Sequence, residues 1–185
     1  MITHRLKFKL LIDEASKWVG VKEEKPNWSP QIEVFQKEVD GKSNREPWCV
    51  SFIQYCVNQV DRDVSKTYWQ GNDYQPNQLY KTEHVLTLWS KTPLENRVET
   101  PFPGCVVLFW QFSEDGKPTG AGHAEIVKEV LTEGRLKTIG GNTSDGASIN
   151  RDGDGVYERI RKPPGSYTFR LLGYLNPWHY PDETS

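Results

Sequence analysis

A chain of 185 residues is long enough for one domain with a substantial core, and needs neither disulfides nor metal to hold it. Its 23 Lys and Arg against 25 Asp and Glu give a net charge of −2, which provides no basic footprint for nucleic acid and no polybasic patch for a membrane surface. No run approaches the roughly 18 apolar residues of a membrane span.

In chain order, Phe8, Leu11, Ile12, Ala15, Trp18 and Val19 recur at helical spacing and Gly20 is a stop signal, which predicts a first helix. Val21 to Trp28 is polar and reads as loop. Ser29-Pro30 supplies an N-cap and a first helical residue, with Ile32, Phe35 and Val39 on one face and Gly41 at the end. A third helix, predicted from about Trp48 to Val60, is apolar on nearly every side and should be buried. Asp61 to Gln75 is polar and rich in turn formers. Leu79, Leu86 and Trp89 then suggest a short fourth helix before Pro93.

Beyond Pro93 the period changes. Pro101-Phe102-Pro103-Gly104 signals a turn, and Cys105 to Trp110 is a continuous apolar run, as in a strand buried on both faces. Asp115 to Gly122 reads as loop. Further strands are expected at His123 to Leu131, Arg135 to Ile139, Gly155 to Arg161 and Thr168 to Leu175. Helices followed by a strand meander predict an α+β fold, with N-terminal helices packed against a C-terminal antiparallel sheet. The chain reads as one domain over residues 1–185, with its core in about 8–176 and a loose tail over 177–185.

The chemistry centres on Cys49. Pro47 suits a helix's first turn, which places Cys49 where unpaired backbone N–H groups and the helix dipole favour negative charge. A thiol held there is expected to lose its proton more readily, and the thiolate is the nucleophile. Cys56 lies roughly 10.5 Å further along the same helix, beyond the roughly 7 Å that a disulfide spans. Cys56 and Cys105 sit inside apolar runs and read as packing residues.

A nucleophilic cysteine needs a base, and the base needs an orienting group. Of the four histidines, His4 and His179 lie near the ends and His84 falls in the predicted fourth helix. His123 follows Gly120-Ala121-Gly122 at the mouth of a strand, beside residues small enough to admit another backbone or a substrate. Asn142, after Gly140-Gly141, could hold the far imidazole nitrogen. It could equally be a turn asparagine, and the spacing does not choose between the two. Trp48, Trp69, Tyr74 and Trp110 are candidate groove walls, with core packing as the competing reading.

Taken in order, Pro47-Trp48-Cys49, Pro103-Gly104, Gly122-His123-Ala124-Glu125-Ile126-Val127 and Gly141-Asn142 resemble the CHAP family. These are cysteine, histidine-dependent amidohydrolases and peptidases of papain-like fold that cut bacterial peptidoglycan. The resemblance runs over roughly residues 10–175. It implies Cys49 as nucleophile, His123 as base and Asn142 as orienting residue. It also implies acyl transfer with no metal or cofactor. Some relatives carry a glutamate two residues before the asparagine, where this chain has Gly140. Glu125 alternates onto the His123 face, but a neighbour on the same strand is expected to project parallel to the ring. Asn142 is therefore favoured to orient the ring, with Glu125 as the alternative, and Glu125 is grouped with Trp48, Trp69 and Trp110 as substrate-binding.

Three other readings are weaker. His123-Ala124-Glu125 matches half of a zinc-deaminase signature, but no cysteine follows Cys105 to complete it. Asn150, Asp152, Asp154 and Gly155 fit the start of a calcium loop, yet the twelfth position is Arg161 rather than glutamate. A wall-binding module without catalysis would have no need of Cys49, His123 and Asn142 together. The segment Met1 to Leu10 lacks a signal peptide's apolar core, so synthesis in the cytoplasm is expected. Access to the wall would then come through other machinery: membrane holes for a phage-type lysin with a holin, or a secretion apparatus for an antibacterial effector with an immunity protein. A monomer is expected.

Overall fold

The structure, a computed structural model, describes residues 4–67, 74–144 and 153–179. Helices α1 (His4–Lys17), α2 (Pro30–Asp40), α3 (Cys49–Thr67) and α4 (Val85–Lys91) precede the strands. These are β1 (Arg97–Val98), β2 (Val106–Phe112), β3 (Pro118–Val130), β4 (Leu136–Thr143), β5 (Gly155–Arg161) and β6 (Phe169–Leu175). They form one antiparallel sheet in the order β1-β6-β2-β3-β4-β5. The α+β architecture is the one the residue pattern predicts.

Local chemistry explains the helix ends. The Ser29 hydroxyl accepts the Ile32 N–H at 3.3 Å, Pro30 opens α2, and Gly41 closes it at φ 82 with its N–H on the Lys37 carbonyl. A cap of this kind is worth about 1 kcal/mol. In α3 the Phe52 N–H reaches the Trp48 carbonyl at 2.9 Å, so Trp48 is the N-cap and Cys49 the first helical residue. Pro47 thus lies just before the helix instead of in its first turn. The helix also continues to Thr67, past the expected end at Val60. Val57, Val60 and Val64 keep the buried spacing, and the carboxylate of Asp61 finds donors inside the fold.

β2 is buried on both faces, which is why its sequence is apolar without alternation. Val106 and Leu108, opposite Ile126 and Ala124, pack towards the helices with Leu11, Phe52, Ile53 and Ile139. Val107 and Phe109, opposite Glu125 and His123, turn to the other face, where Cys105, Val127, Leu136, Phe169 and Tyr174 form a second cluster. The imidazole and the carboxylate therefore belong to the face away from most of α3. β3 begins at Pro118, earlier than expected, because it runs on as the partner of β2 from the Phe112–Pro118 pair onwards.

The pairing of β3 with β4 covers only Ile126–Ile139 to Val130–Leu136. Towards His123 and Asn142 the two strands part, β3 staying with β2 and β4 with β5. The first turn of α3 comes up against β4 at this opening. A Cβ on Gly141 would stand 2.5 Å from the Trp48 ring and 2.8 Å from the Phe52 Cβ, so only glycine lets the helix approach this closely.

Residues 177–179, the described part of the predicted tail, depart from expectation. Trp178 is fully buried and donates its indole N–H to Asp61 at 2.8 Å. The Gln78 amide exchanges hydrogen bonds with the backbone of His179, at 2.9 and 2.7 Å. The predicted loose tail is thus pinned through His179, because one large aromatic burial contributes about 1.5–3 kcal/mol, enough to order a short segment.

Candidate active site

Cys49 stands at the N-terminus of α3 with 4 % of its surface exposed. Side-chain bonds hold that terminus in place. The Trp48 indole donates to Glu23 at 2.9 Å and stacks on Phe35, while the Gln36 amide donates to the Glu46 carbonyl at 2.8 Å. At the head of the helix the Cys49 sulfur meets the ring of His123, which is wholly buried.

The imidazole Nε2 lies 3.0 Å from Glu125 Oε1. That leaves Nδ1, which has no conventional hydrogen-bond partner, as the nitrogen available to the sulfur. Glu125 is fully buried and gripped from two further strands. Arg161 on β5 binds it with both arms of its fork, Nε to Oε2 at 2.8 Å and Nη2 to Oε1 at 2.5 Å, and the Thr138 hydroxyl on β4 donates to Oε2 at 2.7 Å. Arg161 Nη2 also donates to Thr143 at 3.1 Å.

Opposed charges set the protonation. Burial by itself would lower the His123 pKa, yet the bonds and charges of Cys49 and Glu125 raise it to about 9. Burial would likewise raise that of Glu125, but the bonds and charges of Arg161 and His123 hold its carboxyl well below the usual carboxylate range. The ring therefore carries its proton at neutral pH, beside an ionised carboxylate. Cys56 and Cys105 are driven the other way: burial pushes the first well up and the second up to about 12.

The structure brings Cys49 and His123 together, and it changes the reading of Glu125. The place at the far nitrogen expected of Asn142 is taken by Glu125, and the expectation that a strand neighbour could not reach it is wrong. Residues two apart on a strand are separated by about 6.6 Å, a gap that a glutamate and an imidazole close between them when other donors draw the carboxylate to the ring. Gly140 makes the room: a Cβ there would stand 2.7 Å from the Glu125 Cγ. The carboxylate at the ring is thus supplied from β3 and not from position 140 of β4. Asn142, fully buried and left-handed at φ 51, borders the opening between the strands.

The aromatic readings fare less well. Trp48 is fully buried in the core and cannot be a groove wall. Tyr74 packs against the same core and donates its hydroxyl to Asp61. Trp110 is half-buried, its ring 5.1 Å from that of Phe112, and pairs with Gly122 beside His123. Trp69 lies outside the described residues, as do Asn150 and Asp152 of the calcium-loop pattern. His84 is exposed at the head of α4. Sequence reasoning missed Arg161, Thr138 and Thr143. The one usable signal was Gly140, a glycine inside a strand, which often marks a close approach.

Fold and site together define an α+β domain that offers a helix-borne thiol to a strand-borne, carboxylate-backed imidazole. The family model for the CHAP domain matches residues 41–142, more than half of the chain and a span that includes both Cys49 and His123. The chain belongs to the CHAP family, whose members are peptidoglycan amidase- or peptidase-type hydrolases. No curated protein and no solved structure matches it. Among the described residues no helix is long and apolar enough to cross a membrane.

Proposed function

We propose that this protein cleaves an amide bond in the peptide part of bacterial peptidoglycan by cysteine nucleophilic catalysis. The Cys49 thiolate attacks the carbonyl carbon, and the oxyanion is held by backbone donors at the head of α3, the Cys49 N–H among them. The C–N bond breaks as His123 gives its proton to the leaving amine. His123 then takes a proton from water, whose oxygen attacks the thioester and returns the sulfur as thiolate. Glu125 orients the ring throughout.

The observation that carries this reading is the imidazole held between the Cys49 sulfur on one side and Glu125 Oε1 at 3.0 Å on the other. A protein that only bound the wall would have no use for a buried, charged histidine paired with a thiol. The wall is reached with the help of other machinery, a holin or a secretion apparatus with its immunity protein. Digestion of purified sacculi by wild type and Cys49→Ser, followed by mass spectrometry of the fragments, tests the proposal. Release by wild type alone is expected, with fragment masses naming the bond; equal release by both proteins would refute it.

A further inference from the structure

We propose that Arg161 is a positioning residue of this site, holding the Glu125 carboxylate against His123 from a strand outside the span that matches the family. The role deepens the proposed hydrolysis and rests on that reading for its purpose, though not for its test.

The carboxylate of Glu125 has about four lone-pair positions, and four interactions use them. Oε1 is shared by His123 and Arg161, and Oε2 by Arg161 and Thr138. Arg161 is only 3 % exposed, and both arms of its planar fork bond the carboxylate whose Oε1 also meets His123. Among the described residues, the titratable and charged groups that act on His123 and Glu125 from other elements are Cys49 on α3 and Arg161 on β5. The facing positions of β2 are the apolar Val107 and Phe109, and β4 contributes the neutral Thr138. Sulfur, imidazole, carboxylate and guanidinium therefore follow one another across three elements. With the outermost cation gone, a carboxylate buried among valine and phenylalanine would either take up a proton or leave the ring, and the imidazole would lose the charge that retains its own proton.

A structural ion pair alone would affect folding and nothing else, so the test reads protonation. His123 in full-length wild type, Arg161→Gln and Arg161→Lys is titrated by NMR, and Cys49 is alkylated with iodoacetamide across the same pH range, Cys56 and Cys105 being fully buried. The ring titration in Arg161→Gln is expected to fall by about one pH unit or more, with alkylation at pH 7 slowed about tenfold and Arg161→Lys lying between. A folded Arg161→Gln that titrates with wild type overturns the proposal. If that variant does not fold, Arg161→Lys decides: an intermediate titration supports the role, and a wild-type one overturns it, because one ammonium cannot replace a bidentate fork. Neither readout uses wall material, so failure of wild type to digest sacculi would remove the proposed function and leave this result standing.

Discussion

Asp61 and Glu125 are both carboxylates buried in the fold, and they are held in opposite ways. The hydrogen bonds seen at Asp61 come from neutral groups: the Tyr74 hydroxyl, the Trp178 indole at 2.8 Å, and the backbone and side-chain N–H of Asn77, both at 2.8 Å. Those at Glu125 come mainly from a guanidinium and an imidazole. Neutral donors from Tyr74, Asn77 and Trp178 converge on Asp61 of α3 and tie distant pieces together. Cationic donors make a carboxylate part of a charge relay, so a change at one end alters protonation at the other. The first arrangement joins distant segments, and the second couples the protonation of neighbouring groups.

The largest expected effect tests the reactive side of this contrast. Glu125→Gln should lower hydrolysis of sacculi about 10²–10⁴-fold, as expected for loss of a correctly poised acid–base group. It should also cost about 3–5 kcal/mol in denaturant unfolding, because Arg161 is left buried without its counter-charge. In wild type, activity should decline as pH rises through about 9, where His123 gives up its proton, and in the variant the decline should begin at lower pH. The same proton makes the native state bind more protons than the unfolded one, so this contribution to stability is present below the ordinary histidine value of 6.5 and lost as pH rises through about 9.

Next comes the structural side. Trp178→Ala should cost about 3–5 kcal/mol of stability, measured by urea unfolding, while the rate per folded molecule stays at the wild-type value. A large drop in that rate would break the contrast, since it would tie the Asp61 region to the chemistry.

Gly140→Ala sharpens it from within the sheet. The added methyl stands 2.9 Å from Glu125 Oε1 and must displace the carboxylate, at a cost of about 1–3 kcal/mol. The NMR titration of His123 should fall with it. An unchanged titration would show that the glycine serves backbone packing and not the carboxylate.

The smallest effect concerns a carboxylate held by neither kind of partner. Glu83 faces Glu46, and its pKa is raised to about 7 by burial first and then by the charges of Glu46 and Asp40. Its proton is held more tightly in the folded state, so stability from this group is highest below the ordinary value of 4.5 and declines as pH rises to about 7. Glu83→Gln should flatten the thermal midpoint across that window. A slope equal to that of wild type would place its origin elsewhere.

Much of the architecture was legible in the residues themselves. Ser29-Pro30 and Gly41 mark the ends of α2 by local capping chemistry, and the unbroken apolar run of β2 announces burial on both faces. Cys49 and His123 were legible for a similar reason: a thiol at a helix head and a histidine after small residues carry their context within a few positions. Arg161 was not. In the sequence it figured only as the residue that spoils a calcium loop, and its partner lies 36 residues away.

Trp178 and Asp61 illustrate the same limit, being 117 residues apart and joined only when the tail folds back. Periodicity and caps follow from forces between near neighbours, so sequence alone determined the helices and most of the strands, and it singled out Cys49 and His123 as candidates. Tertiary structure decided which distant donors satisfy a buried charge. It set the Glu125 carboxylate against the imidazole in the space left by Gly140, drew Trp48 into the core and fastened residues 177–179, because the cost of an unpaired buried group is met only where strands from different parts of the chain converge.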